Sequence, residues 1–397
     1  MSVNQGDAMY SRKYKTAAII AEYNPFHNGH KFQIEETRKI TGADFIVSIM
    51  SGDFVQRGVP AIFDKYTRTK FALDNGADLV IELPVIYALS SAEGFAKGAV
   101  NILNKLNCID YLSFGSESGD LDLLKSIANM RNNISSEDDL RIKELLKTGL
   151  SYPSALNQVL QYDTDIISSP NNILAIEYIR ALECEASTIS PVTVKRSDNG
   201  YSNECFSSSD KNISATALRK LIFDNDITYG NYLPYELSEN IIENAVKIDD
   251  FSSVLYYKLL SEVSEGYTKY LDVDNNLSGR IVNSLKDFSS ISSFIDLLKT
   301  KNYTYTRICR ALFHILLNIY TDDFTCEPSY ARVLGFKKSA ATLMHDIKGS
   351  SELSLITKLS DAPKCQMLKK DIFASSIYEN INGRHRNEYR MSPIIVD

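Results

Sequence analysis

"TAAIIAEYNPFHNGH", residues 16–30, decides how the rest of the chain is read. The run at 16–21 is apolar apart from Thr16, and it fits a short buried strand. At 22–30, "EYNPFHNGH" breaks that run with Pro25 and the Asn28-Gly29 pair, which turn the chain sharply. It also carries His27 and His30, two of the five histidines in the protein. The residues from 29 to 40 have helical spacing, so the turn joins a strand to a helix. In open α/β sheets, ligands bind beyond the carboxyl ends of the strands, where the next helix N-terminus favours an anion.

Moving outward, the pattern repeats. "DFIVSIM" (44–50), "DLVIELP" (78–84), "DYLSFGS" (110–116) and "STISPVTVKR" (187–196) alternate with helical patterns at 64–75, 91–106 and 171–182. Regular alternation of this kind predicts an α/β fold: a Rossmann-like, doubly wound parallel sheet covered on both faces. Asp64 stands where a helix N-cap belongs and Gly76 where a terminating glycine belongs. Residues 119–160 read as a charged helical excursion on the surface. From 226 onward the apolar spacing turns helical, as in "ELSENIIENAVK" and "TRICRALFHILLNIY", with one more α/β-like stretch at "YARVLGFKKSAATLMHDIK". The expected organisation is a polar tail at 1–15, a catalytic domain at 16–225 and a mostly α-helical C-terminal domain at 226–397.

Composition narrows the function. At 397 residues and 44% hydrophobic content the chain can bury a large core. Apolar runs such as "LVIELPVIYAL" (79–89) are too short for a membrane span, which needs about 20 residues. The N-terminal tail lacks the apolar centre of a secretory signal, so the expected location is the cytoplasm. The six cysteines (Cys108, Cys184, Cys205, Cys309, Cys326, Cys365) form no C-x-x-C pair, which speaks against a zinc site or a disulfide framework. The net charge of −7 gives no general attraction to nucleic acid, so any such site must be a local basic patch.

The histidines at i and i+3 can both face an anion held at the turn, and Gly29 lets that anion approach the backbone. Imidazole N–H groups near phosphate oxygens can stabilise the charge that develops as pyrophosphate leaves an α-phosphate. No metal site is expected, because the H-E-x-x-H spacing is missing. An ordinary Asn-Pro and Asn-Gly turn would produce the same letters, so a second stretch matters. "ISATALRK" (213–220) opens a helix just after the fifth strand, with Ser214 and Thr216 as caps or hydroxyl donors and Arg219 one turn later. Set across the sheet from the histidines, these groups can grip β- and γ-phosphates.

H-x-G-H after strand one, with an I-S-x-T-x-x-R-like motif after strand five, resembles the nucleotidylyltransferase superfamily that carries the HIGH signature. "AEYNPFHNGH", "SGDFVQRGVPAIFDKYTRTKFALDNGADLVIELP", "FGSESGD", "SPNNILAIEYIRAL" and "KTKNYTYTRICRALFHILL" narrow this to a resemblance to the bacterial tRNA(Met) cytidine acetate ligase family over nearly the whole chain. The resemblance implies an ATP-dependent ligase that adenylates acetate, releases pyrophosphate and acetylates the wobble cytidine of elongator tRNA(Met) to N4-acetylcytidine. It places the ATP site on Ile20, Ala21, Glu22, Tyr23, Asn24, Pro25, Phe26, His27, Asn28, Gly29, His30, Lys31, Phe32 and Gln33, together with Gly115, Asn171 and Arg196. His27, His30 and Arg196 are the expected catalytic residues, and Asn171 or Asn172 can read adenine or ribose. Magnesium is expected to enter with the triphosphate. The chain departs from the family pattern after Arg196, where Tyr201 is followed by Ser202 in "SDNGYSNECFSSSDKN" (197–212).

Two further expectations concern the acceptor. Arg57, in a glycine-bounded loop after strand two, suits a clamp for acetate or a tRNA phosphate. "KTKNYTYTRICR" interleaves Lys299, Lys301, Arg307 and Arg310 with Tyr303 and Tyr305, and Arg332, Lys337 and Lys338 follow; basic groups with aromatic faces are how loop nucleotides are bound. Two rival readings stand beside the ligase: a nucleotidylyltransferase for a cofactor precursor, which uses the same histidines, and a non-catalytic RNA-binding protein with an inert nucleotide fold.

Overall fold

The computed structural model describes residues 12–397 except 149, 151, 161–165, 167–168, 197–212 and 382. The departure at Tyr201 and Ser202 therefore lies outside the described residues, as does Cys205. Eight strands form the main sheet: β1 (Thr16–Ala21), β2 (Phe45–Ser51), β3 (Leu79–Leu83), β4 (Tyr111–Ser116), β5 (Ser190–Lys195), β6 (Tyr330–Lys337), β7 (Ser354–Ile356) and β8 (Ile394–Val396). Strands β3-β2-β1-β4-β5 run parallel in that spatial order, as the alternation predicts. The order reverses between β1 and β4, which opens a crevice at their carboxyl ends.

Both faces are covered. Ala18, Val47, Ile49 and Leu112 point into one buried cluster, while Ala17, Ile19, Ile46 and Met50 point into another. The period-two alternation of a strand thus feeds two cores, which explains why these strands are apolar throughout.

Crossover helices start and stop where side chains satisfy their ends. Helix α1 (Asn28–Thr41) is capped by His27 and ends at Gly42, whose φ of +64° suits glycine. Helix α2 (Lys65–Asp74) is capped by the Asp64 carboxylate, which accepts from the Tyr66 and Thr67 N–H groups at 3.0 Å each. Helices α3 (Ala92–Lys105), α4 (Pro170–Cys184) and α5 (Ala215–Phe223) follow, then α6 (Tyr305–Leu316) in the largely helical second half. The excursion after β4 consists of helices at 121–132, 136–147 and 152–160, the last two sharing a small cluster of Ile142, Ala155 and Leu156.

The division expected at 225/226 does not follow the sheet. Strand β6 runs antiparallel to β3, and β7 and β8 share the outer edge of β6. Phe54, Phe251, Phe313 and Tyr378 form one aromatic cluster, with centroids 5.6–6.1 Å from Phe54, so both halves share a core. The tail boundary at 15 also shifts: Tyr14 donates to Asp346 at 2.6 Å and Arg12 pairs with Asp110 at 3.1 Å. Residues 12–15 thus dock on the body. No helix among the described residues is long and apolar enough to cross a membrane.

Arg332, expected on a basic surface, is buried at 4% exposure between Glu82 (3.2 Å) and Glu388. Lys65 joins them, 2.8 Å from Glu82 and 3.2 Å from Glu388, with Asp53 at 3.9 Å. The network ties α2, β3, β6 and the 388–390 turn together. Lys337 and Lys338 are likewise paired, with Asp78 and Asp397.

Candidate active site

A cavity of about 320 Å³ opens at the carboxyl ends of β1, β4 and β5. Its walls come from the β1–α1 turn, the 55–59 turn, the end of β4, the first turns of α4 and α5, and the start of α6. Ile20, Ala21, Glu22, Asn24, His27, His30, Gln33, Gly115, Asn171, Arg196, Ser214, Thr216 and Arg219, all expected at the ATP site, line it. Tyr23, Pro25, Phe26, Asn28, Gly29, Lys31 and Phe32 do not. They support the wall from behind or face outward, and Phe32 is 48% exposed.

The two histidines are held by the helix they open. The Nδ1 of His27 accepts from the Gly29 N–H at 3.1 Å, and the Nδ1 of His30 accepts from the His27 N–H at 3.2 Å. This reciprocal pairing works like a capping box built from imidazoles. A neutral ring whose Nδ1 accepts carries its proton on Nε2, so both rings are fixed as Nε2–H donors. The rings stack at 3.8 Å, and His30 rests against Tyr23 and Phe26 at 5.0 and 5.5 Å. Gly29 makes the arrangement possible: a Cβ there would lie 2.9 Å from His27 Cε1.

Burial, and then the charges of Arg196 and Arg219, push the His27 pKa down to about 3. Burial, His27 and Arg196 hold His30 well below its ordinary value. Both rings are therefore neutral at physiological pH and present an Nε2–H without carrying charge.

Opposite them, Ser214 caps α5 by accepting from the Ala217 N–H at 3.2 Å. Arg219 donates to the Asn24 carbonyl at 2.8 Å and to Thr216 at 3.0 Å, which locks the α5 motif onto the β1–α1 turn. Burial pulls the Arg219 pKa to about 10, with Glu22 opposing and Arg57 reinforcing the drop. Gly115 serves Arg196: a Cβ at Gly115 would lie 3.2 Å from the Arg196 Cγ and Cδ, so the bare backbone gives the arginine stem its path. With Arg57 and Arg310, four arginines line the cavity among the described residues, and among these the lining carboxylate is Glu22.

The first turn of α4 sets the far wall. Both oxygens of Glu117 accept from this turn, at 2.7 Å from the Asn171 Nδ2 and 2.7 Å from the Asn172 N–H. Asn172 itself is buried, and its side-chain Oδ1 accepts from the Glu117 and Ser118 N–H groups at 3.0 and 3.2 Å. It is a structural residue, while Asn171 lines the cavity. Phe95, Phe114, Ile173, Leu174 and Tyr178 supply an apolar surface beside it, which sequence reasoning missed because core residues carry no local mark of facing a cavity.

The basic stretch before α6 is divided. Lys299 and Lys301 are exposed. Tyr303 is buried at 7% exposure and donates to Asp274 at 2.6 Å, so its face is not open to a base. Arg307 pairs with Asp274 at 3.0 Å and lies over the Tyr303 ring. Arg310 points away from the outer surface: it lines the cavity together with Thr306 and is held by Asp272 at 2.9 Å. Among the described residues, no group of three or more His, Cys, Asp or Glu side chains comes together to hold a metal ion.

The family model of the HIGH nucleotidyl transferases matches residues 14–392. A tRNA(Met) cytidine acetate ligase of Clostridium perfringens (strain SM101) is 39% identical, over 95% of this chain and 98% of that one. A tRNA(Met) cytidine acetate ligase of Halothermothrix orenii is 41% identical, over 86% of each. Among solved structures, Thermotoga maritima TmcAL bound with alpha-thio ATP superposes with a TM-score of 0.85 at 26% identity, covering 96% of this chain and 99% of that one.

Proposed function

Since the chain belongs to the HIGH nucleotidyl transferase family and, within it, to the tRNA(Met) cytidine acetate ligases, we propose that it activates acetate with ATP and acetylates elongator tRNA(Met) in the cytoplasm. An acetate oxygen attacks the α-phosphorus of ATP, the bond to pyrophosphate breaks, and acetyl-adenylate forms. The N4 amine of the wobble cytidine then attacks the acetyl carbon, loses a proton, and AMP leaves.

The observation that carries this reading is the pair of neutral, backbone-capped histidines lining a cavity with four arginines. Fixed donors aimed at developing charge need no reorganisation during the step, which is what makes such sites effective. His27 and His30 would stabilise the α-phosphate and leaving oxygen through Nε2–H, and Arg196 the charge on the α-phosphate. Ser214, Thr216 and Arg219 would hold the β- and γ-phosphates at the N-terminus of α5. Adenine suits the apolar surface of Phe95, Phe114 and Tyr178, with Asn171 beside it. Magnesium would enter on the triphosphate, held by phosphate oxygens and water.

Activation as a mixed anhydride also accounts for a site whose chemistry needs no nucleophilic Ser or Cys. Lys299 and Lys301 lie just before α6, whose first turn brings Thr306 to the cavity; this exposed loop suits the tRNA backbone near the entrance.

The test is nucleoside mass spectrometry on an elongator tRNA(Met) transcript incubated with the protein, ATP, magnesium and isotope-labelled acetate. Labelled N4-acetylcytidine is the expected product. Pyrophosphate release without it would keep the nucleotidyl chemistry and discard the acceptor.

A further inference from the structure

We infer that Arg57 and Arg310 form the carboxylate site for the acyl substrate, with Val55 and Val59 as the wall that limits its chain length. This rests on the ligase reading above. Arg57 sits in the 55–58 turn, closed by the Gly58 N–H on the Val55 carbonyl at 2.9 Å. The Gln56 N–H fixes the same turn to Glu22 at the end of β1, at 3.0 Å. Its other side lies directly on α6: a Cβ at Gly58 would collide with the Arg310 backbone nitrogen and come 2.7 Å from Cys309 Cβ. Gly58, with φ +81°, therefore packs on the α6 backbone at Arg310, so its neighbour Arg57 and Arg310 both start from one edge of the cavity that their side chains line.

Two arginine side chains that line one edge of the cavity favour negative charge bound there. Asp272 supplies part of it, accepting from the Arg310 Nε at 2.9 Å. That contact fixes the side chain and leaves both terminal nitrogens of Arg310 without a hydrogen-bond partner among the described residues. Arg57 has no hydrogen-bond or ion-pair partner among them either. The guanidinium fork matches a carboxylate in plane and spacing, which a monovalent acyl anion would satisfy. Arg196, Arg219 and the α5 hydroxyls already serve the nucleotide side, so the Arg57–Arg310 edge is the one left for a second anion.

Chain length follows from the same turn. Val55 and Val59 flank Arg57 and line the cavity, so the alkyl end of a bound carboxylate meets two branched side chains. One extra methylene in such a pocket typically changes selectivity by about 10–200-fold.

The experiment is acetate-dependent ATP–pyrophosphate exchange in the absence of tRNA, with ATP affinity and tRNA affinity measured separately. Arg57→Ala and Arg310→Gln should each raise the KM for acetate at least tenfold, with both affinities within twofold of wild type. Val59→Ala should raise the propionate-to-acetate ratio of kcat/KM at least tenfold. An unchanged acetate KM in both arginine variants overturns the assignment, as does a loss confined to ATP or to tRNA binding. Should Arg310→Gln fail to fold, the Arg57→Ala result decides, because Arg57 is exposed on a turn. Wild-type protein that exchanges pyrophosphate with no short carboxylate overturns the ligase reading and this site together; wild-type activity with indifferent variants overturns the site alone.

Discussion

Replacing His27 separates its role as a cap from its role as a donor. His27→Asn keeps a side-chain oxygen that can accept from the start of α1, since asparagine is among the best N-caps; His27→Ala does not. The cap is worth about 1 kcal/mol, so the alanine variant should be less stable than the asparagine variant by roughly that amount. Both lose the stack on His30, seen at 3.8 Å, which adds a further ~1 kcal/mol against wild type. Both also lose the Nε2–H donor. Removing one such donor from a preorganised site costs about 2.7–4 kcal/mol in the transition state, a rate decrease of 10²–10³. Urea denaturation should therefore rank wild type, then Asn, then Ala, while ATP–pyrophosphate exchange should fall equally far in both variants. Exchange at the wild-type rate in His27→Asn would refute the donor role and leave His27 as a cap only. Equal stability of the two variants would refute the cap.

Other outcomes follow from the same structure. His27 has its pKa lowered from 6.5 to about 3, so its neutral form contributes stability fully above pH 6.5 and loses it as pH falls toward 3. At pH 5 the difference is about 2 kcal/mol from this residue, and denaturant melts at pH 7.5 and 5 should show a pH slope that His27→Asn flattens. Lys65→Met leaves Glu82 and Glu388 facing each other with less positive charge, and thermal or urea unfolding should show a loss of about 3–5 kcal/mol. Lys299→Ala with Lys301→Ala should weaken tRNA binding and lower the slope of log K against log salt by about 1.4 if both contact phosphates, leaving tRNA-independent pyrophosphate exchange unchanged. An unchanged slope would remove that loop from the interface.

The sequence carried most of the cavity-lining edge of the sheet because the signals there are local. The parallel strands at 16–21, 79–83, 111–116 and 190–195 fall within the apolar runs read from the letters, and the strand at 45–51 ends one residue past its run at 44–50. Asp64 and Ser214 cap the helices they were expected to cap, because capping is decided within three or four residues. The role of His27 as a cap through Nδ1 was not legible, since histidine is not a usual N-cap and only Gly29 leaves room for its ring.

The second half was less legible for a physical reason. Arg310 and Arg307 stand three residues apart on one helix in the same basic stretch, yet one lines the cavity and the other pairs with Asp274 outside it. Arg332 reads as a surface cation next to Lys337 and Lys338, yet it closes a buried ionic network. The stretch "YARVLGFKKSAATLMHDIK" reads as one more α/β-like element, but nothing local says that its strand at 330–337 will pair antiparallel with 79–83 and extend the first half's sheet. By itself, the sequence determined the elements, their caps and the histidine turn, because hydrophobic period and capping act over a few residues. Only the tertiary structure decided which cations line the cavity and which are neutralised, because a charge is assigned by partners that lie tens to hundreds of residues away along the chain.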